Sequence, residues 1–333
     1  MKLTSREMSS FLMYRMKDPL NTHTISEKYP YRKPIHNSLQ LEEYLRNRIG
    51  GCGERVALAL SGGIDSAILA KFMPKGSIVY TFKCIVPGVQ VTDETPIAAQ
   101  YALECGLQHK IIPIYWEDFV NCSDILMSHK QSPIHSIEVQ IYKAALTAKA
   151  DGIDTLIFGE AADAVYGGLS GLLSKDWRFG DFVERYSFLM PYKVLMNPEM
   201  PLQIYQEYEH NGFIDPHDFI SNVFIQESVA SYLNATNVAG INIILPFPET
   251  CLDEPIDYKR IRSGENKYLV REIFQRLYPK FKIPEKTPMP RPMNEWLKDW
   301  EGPKREEFLP DCVENLSGDQ KWLVYILERY LNL

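Results

Sequence analysis

Residues 56–66 read Val56-Ala57-Leu58-Ala59-Leu60-Ser61-Gly62-Gly63-Ile64-Asp65-Ser66. Five apolar residues run straight into Ser61-Gly62-Gly63, and apolar positions at helical spacing (Ala67, Ile68, Phe72) take over directly after Asp65 and Ser66. This pattern spells a strand, a tight turn and the start of a helix. The two glycines let backbone approach a ligand closely, the first helical N–H groups point outward, and the Ser61 and Ser66 hydroxyls add donors. Such a turn suits a phosphate group. Asp65 then calls for a cation, because a carboxylate beside a phosphate repels it unless a divalent ion such as Mg²⁺ lies between them.

Outward from this stretch, strands and helices alternate. Leu41, Tyr44, Leu45 and Ile49 predict a helix ahead of it, stopped by Gly50-Gly51. After it come a strand over 77–86 closed by Pro87-Gly88, a helix carrying Ile97, Ala98, Tyr101, Ala102 and Cys105, and a strand over 110–115. A helix with Ile137, Ile141, Ala145 and Ala148 then leads to a short strand over 154–158 and the turn Gly159-Glu160-Ala161-Ala162-Asp163. Repeated units of this kind predict an α/β fold with a doubly wound, mostly parallel sheet, whose ligands lie at the carboxyl ends of the strands. If the 154–158 strand neighbours the first, Glu160 and Asp163 reach the same sheet end as Asp65. Two carboxylates can then hold Mg²⁺ on a triphosphate while a third acts as a base.

The 333 residues carry a formal net charge of −7, 45% hydrophobic residues and no long Lys/Arg run, which argues against nucleic acid as the main partner. No apolar run reaches membrane-spanning length, and a cytoplasmic protein without membrane attachment is expected. Six scattered cysteines form no Cys-x-x-Cys pair, so reduced core thiols are expected rather than a zinc site or disulfide framework. Residues 1–37 read as an extended packing arm. Residues 38–333 read as one synthetase-like unit, with a nucleotide-binding core over 38–170 and a largely helical, substrate-side region over 171–333. Within the latter, the aromatics between Trp177 and Tyr208 are expected to be packing, and amphipathic helices are expected over 215–234 and 320–331.

The Ser61–Ser66 stretch matches the pyrophosphate-binding loop of the ATP-pyrophosphatase (PP-loop) superfamily and lacks the Gly-Lys-Ser/Thr ending of the Walker loop. Together with Asp93-Glu94, Gly159-Glu160-x-x-Asp163, Tyr166-Gly167-Gly168, Pro246-Phe247, the run from Asn266 to Arg271, and Lys286, it resembles the synthetase domain of asparagine synthetases and β-lactam synthetases. The resemblance implies an adenine nucleotide alpha-hydrolase-like fold and an AMP-forming carbon–nitrogen ligase using ATP and Mg²⁺. Such an enzyme adenylates a carboxylate, releases pyrophosphate, and passes the acyl group to ammonia or an amine. By the same resemblance, Ser61, Gly62, Gly63, Asp65 and Ser66 hold the pyrophosphate half of the nucleotide, and Gly159 is a further nucleotide-binding residue. Ala59, Leu60 and Phe82 border the adenine, and Asp65 and Asp163 ligate the metal. Glu160 stands near the reacting carbonyl, Lys267 faces the phosphates, and Lys286 lies near the released pyrophosphate.

Two departures stand out: Ala161 and Ala164 replace the second Gly and the final Glu of the family's Gly-Glu-Gly-x-Asp-Glu. Residue 2 is Lys, so no N-terminal Cys is expected to release ammonia from glutamine. The expected partners are therefore a small-molecule carboxylate and an ammonia or amine donor. A separate glutaminase, a carrier protein or a second copy of the chain are further arrangements this reading admits. The rival readings are a PP-loop enzyme modifying a nucleic-acid base and a non-catalytic nucleotide-binding homologue.

Overall fold

The computed structural model describes residues 2–285 and 287–333. Its main sheet has five parallel strands: β1 (Val56–Ala59), β2 (Ile78–Cys84), β3 (Gln108–Ile114), β4 (Thr155–Ile157) and β5 (Asn242–Ile244). Their spatial order is β3-β2-β1-β4-β5, with Leu58 opposite Val79 on one side and opposite Ile157 on the other. β1 is central and its residues 56–58 are buried, which is why it reads as an unbroken apolar run. The expected doubly wound α/β fold is present. Its sheet, however, does not end near residue 170: β5 comes from the chain's second half and docks on β4. Three residues (Asn-Ile-Ile) beside a proline are too short for periodicity to reveal, and only pairing with β4 makes them a strand.

Helices cover both faces. On one side lie α2 (Ser38–Gly50), α3 (Ile64–Ala70), α4 (Thr95–Cys105) and α11 (Tyr268–Leu277). On the other, α5 (Trp116–Lys130) and α6 (Ile137–Ala150) pack with α9 (Ile225–Ala239). The intervening helices are α7 (Ala162–Val165) and α8 (Phe179–Tyr186), with α10 (Tyr258–Arg262) before α11; α12 (Gly318–Leu331) closes the chain. A π-helical stretch, Ile220–Phe224, feeds α9, so the expected 215–234 helix is interrupted. Trp177, Phe182, Tyr186 and Tyr205 are buried in a second core, as the aromatic pattern suggested, whereas Tyr192 is exposed. All six cysteines are free thiols. Among the described residues no helix is long and apolar enough to cross a membrane.

The first residues are not an extended arm. They form α1 (Ser5–Tyr14), opened by a capping box in which the Thr4 hydroxyl accepts from the Glu7 N–H and the Glu7 carboxylate accepts from the Thr4 N–H. Phe11, Leu12, Met13 and Tyr14 are fully buried, and the buried Arg15 that follows pairs with Glu227 of α9 at 3.0 Å.

Candidate active site

The order β3-β2-β1-β4-β5 reverses direction between β1 and β4, and in open parallel sheets that switch point is where a crevice opens beyond the strand ends. The loop 60–63 leaves β1 there and the turn 158–161 leaves β4 beside it. Their backbones nearly touch: a Cβ added to Gly159 would lie 2.9 Å from the Ser66 nitrogen and 3.1 Å from the Asp65 Cβ. Any larger residue at 159 would force the two turns apart.

The serine loop is wired to itself. The Ser61 N–H donates to the Ser66 Oγ at 3.0 Å, the two hydroxyl oxygens are 3.0 Å apart, and the Gly63 N–H donates to the Ser61 Oγ at 3.1 Å. α3 starts at Ile64 and presents Asp65 in its first turn. Asp163 occupies the first turn of α7.

Between the two acids stands Lys267. Its ammonium lies 2.8 and 2.6 Å from the Asp65 Oδ1 and Oδ2 and 2.9 Å from the Asp163 Oδ1. Burial pulls the lysine's pKa down, but the carboxylates of Asp163 and Asp65 outweigh it and hold the group above the ordinary lysine range. The fold sets this position through α11, which packs on α3 and is pinned there by the Tyr278 hydroxyl donating to the Ala67 carbonyl at 2.6 Å. Lys267 sits just before α11 with φ of 51°. Gly168 closes the back of the cluster, since a Cβ there would overlap Asp163 and lie 2.7 Å from the Lys267 Cδ.

Two hollows of about 180 and 310 Å³ meet at this cluster and share Ser61, Asp65 and Asp163. The smaller is lined by Ala59, Leu60, Ser66, Phe82, Gly159 and Glu160, and the larger by Gly63 and Lys267. Gly62 lies at the rim, against Glu94. Every residue given a binding, metal or catalytic role in the sequence thus lies at or beside these hollows except Lys286, which lies outside the described residues.

Glu160 faces the smaller hollow from the end of β4. It accepts a short hydrogen bond from the Ser228 hydroxyl and another from Tyr232, both on α9. Burial raises its pKa, and these bonds oppose the rise only in part. Ser228 and Tyr232, one helical turn apart, escaped the sequence reading because an i, i+4 pair of polar residues on a buried helix carries no local mark of a site. Ala164 is buried, lines neither hollow, and its carbonyl accepts from Ser221. The acid missing at that position is therefore not missing from the cavity.

Ala161 departs from the expected Gly and pays for it in geometry, with φ of 68° in the left-handed region. A non-Gly residue there costs about 1–2 kcal/mol, offset in part by the larger chain entropy of glycine. Ala161→Gly is expected to stabilise the fold by about 0.5–1 kcal/mol. Urea unfolding measures this directly, and an unchanged or lower midpoint would mean that the turn is relaxed around Ala161.

The Asp93-Glu94 motif also reaches the site. The structure places its carboxylate against Gly62, accepting the Gly62 N–H at the edge of the smaller hollow. Burial raises its pKa to about 7, with Asp93 adding to the rise and the Gly62 N–H opposing it. The folded value exceeds the unfolded one, so the native state binds the extra proton between about pH 4.5 and 7 and loses stability as pH rises through that window. Relative to Glu94→Gln, the wild type is expected to lose about 1–2 kcal/mol between pH 5 and 8, the partial exposure of the group limiting the effect. Parallel pH profiles in the two proteins would remove Glu94 from this role.

Fold and site together define a PP-loop α/β protein: a parallel sheet with a serine–glycine turn at its switch point, and a lysine held between acids from two strand ends. The asparagine synthase family model matches residues 40–220, more than half of the chain, and the protein belongs to that family of ATP-using synthetases. No curated protein matches the sequence. Similar solved structures include an NMN synthetase from Francisella tularensis at 14% identity, covering 76% of this chain and 99% of that one with a TM-score of 0.30. An NH3-dependent NAD synthetase from Campylobacter jejuni is 17% identical over 39% of this chain, with a TM-score of 0.24; the match spans 58% of that synthetase's length. The U34-tRNA thiolase NcsA from Methanococcus maripaludis is 14% identical over 75% of this chain and 82% of its own, with a TM-score of 0.28.

Proposed function

We propose that this chain is an AMP-forming carbon–nitrogen ligase: it joins a small-molecule carboxylate to AMP from ATP, releases pyrophosphate, and transfers the acyl group to ammonia or an amine. The observation that carries this reading is the Lys267 ammonium within 2.6–2.9 Å of both Asp65 and Asp163, beside the serine–glycine loop.

Adenylation breaks the bond between the α-phosphorus and the pyrophosphate oxygen while a carboxylate oxygen attacks the same phosphorus. Negative charge gathers on the phosphoryl oxygens and the leaving group. Lys267 is fully charged at neutral pH and already oriented, so it stabilises that charge with little reorganisation. The Ser61–Ser66 loop supplies hydroxyls and N–H groups to the phosphates, while Ala59, Leu60 and Phe82 offer an apolar slot for the adenine. In the second step the nitrogen attacks the acyl carbon, AMP departs, and Glu160 takes up the proton that nitrogen sheds. A carboxylate with a raised pKa is the better acceptor for this purpose.

The donor set fits Mg²⁺. Asp65 and Asp163 already converge on one cation, and Mg²⁺ is commonly held by one or two carboxylates together with substrate phosphates rather than by a protein cage. When bound, the ion supplies charge neutralisation on the phosphates; Asp65 and Asp163 would hold it.

The test is pyrophosphate exchange. Purified protein with ATP, Mg²⁺ and a panel of carboxylates is expected to incorporate labelled pyrophosphate into ATP with the matching acid alone. ADP as the sole nucleotide product, or no exchange with any acid, would overturn the reading.

A further inference from the structure

Arg15 closes α1 in the left-handed conformation, with φ of 58°, where a helix end of this kind usually carries glycine. Its side chain is buried and lies against α9, the helix that carries Ser228 and Tyr232. We propose that Arg15 is a positioning residue for Glu160: it fixes the first turn of α9 through Glu227 and so holds the Ser228 and Tyr232 hydroxyls on that carboxylate. The proposal rests on the ligase reading for what Glu160 does, and it gives a place in the site to a segment that precedes the family match over residues 40–220.

The guanidinium is shared among three groups. Nη2 lies 3.0 Å from the Glu227 Oε2, Nη1 lies 2.6 Å from the His135 Nε2, and the central carbon stands 3.7 Å from the centre of the Phe188 ring. Arginine can only donate, so the His135 Nε2 accepts and the imidazole keeps its proton on Nδ1, which faces the Glu227 Oε1 at 3.4 Å. Burial and the guanidinium push the His135 pKa down to about 4, which leaves the ring neutral at neutral pH. Burial also opposes the charge on Glu227, but Arg15 outweighs it and holds that carboxylate below the usual glutamate range. Backbone bonds seat the arginine in turn: the Phe188 and Leu189 N–H groups donate to the Met13 and Leu12 carbonyls.

The helix carries this anchor to the site within one turn. Glu227 and Ser231 form one i, i+4 pair on α9, and Ser228 and Tyr232 form the next pair, one residue further round. The Ser231 hydroxyl donates to the Glu227 Oε1 at 2.9 Å, while Ser228 and Tyr232 donate to Glu160. A slip or rotation of this turn that follows Glu227 therefore carries both donors off Glu160. The turn starts from the π-helical Ile220–Phe224 rather than from regular helix, and a second anchor, Asn234 donating to Glu138 at 2.7 Å, lies about two turns on. The N-terminal segment touches the same turn again, where the Ile25 N–H donates to the Gln226 Oε1 at 2.8 Å.

The test reads Glu160 without any substrate. In the full-length chain labelled with ¹³C-carboxyl glutamate, the Glu160 resonance is assigned by its loss in Glu160→Gln and titrated in the wild type, in Arg15→Lys and in Arg15→Met/Glu227→Gln. The double variant removes one positive and one negative charge together, so it leaves neither charge buried alone and a shift reports the hydrogen bonds. Burial and Asp163 oppose the charged form of Glu160, whereas Ser228, Tyr232 and the Ala161 N–H favour it. Loosening the two hydroxyls is expected to raise the midpoint by about one pH unit in the double variant, and by less in Arg15→Lys, which keeps the charge but loses the fork. Amide formation is expected to fall about tenfold in the double variant with pyrophosphate exchange within about twofold, and to fall no further when the same changes are made in Glu160→Gln. Urea unfolding verifies the fold of each chain, and where only Arg15→Lys folds its titration decides in the same way. A midpoint that matches the wild type in a folded variant, or a loss of amide formation that adds in full to that of Glu160→Gln, would overturn the proposal and leave Arg15 a core residue. A shifted midpoint in chains that exchange pyrophosphate with no acid would instead sink the ligase reading and leave the positioning role standing.

Discussion

Replacing Lys267 by Met is expected to lower turnover on the order of a hundredfold or more, as for the loss of a fixed donor to transition-state charge. The same change leaves Asp65 and Asp163 facing each other without the cation between them. Their side chains are 19% and 30% exposed, so water screens part of the repulsion, and the fold is expected to lose about 1–3 kcal/mol rather than the larger amount a fully buried orphan would cost. A divalent cation can take the place of the ammonium. Mg²⁺ should therefore raise the melting temperature of Lys267→Met more than that of the wild type, and this second readout is independent of turnover. Asp65→Asn and Asp163→Asn should each remove most activity while showing no such gain from Mg²⁺. Near-normal turnover of Lys267→Met would return this residue to a purely structural role.

Glu160→Gln is expected to separate the two half-reactions. Glutamine fills the same space and keeps an oxygen for the Ser228 and Tyr232 hydroxyls, but it cannot take a proton from the attacking nitrogen. Amide formation should fall about 10²–10³-fold, the usual worth of a positioned base, while pyrophosphate exchange stays within a few fold. If exchange falls as far as amide formation, Glu160 acts on adenylation or substrate binding instead. The raised pKa of Glu160 also gives the amide-forming step a rising limb with pH, displaced above the ordinary glutamate range and absent in Glu160→Gln.

The sequence alone carried four of the sheet's five strands and the centre of the candidate site. Val56–Ser66 dictates a buried strand ending in a close-approach turn, and the 154–163 segment repeats that grammar, so the convergence of Asp65, Gly159, Glu160 and Asp163 follows once two such strands are neighbours. Family resemblance added Lys267, which no spacing argument could have distinguished from a solvated helix lysine. What only the tertiary structure decided are the contacts made by segments distant in sequence. Residues 242–244 become a strand because β4 offers them an edge, and Ser5–Tyr14 becomes a helix buried from Met8 to Tyr14 because α9 and the aromatic core receive it. Ser228 and Tyr232 acquire their places because α9 packs against the turn that leaves β4, 68 residues earlier in the chain in the case of Ser228 and Glu160. Local propensity is a property of neighbours in sequence, and it fixed the elements. The meeting of Lys267 with two acids about a hundred and two hundred residues before it is set by burial and charge pairing, which exist only when the chain is folded.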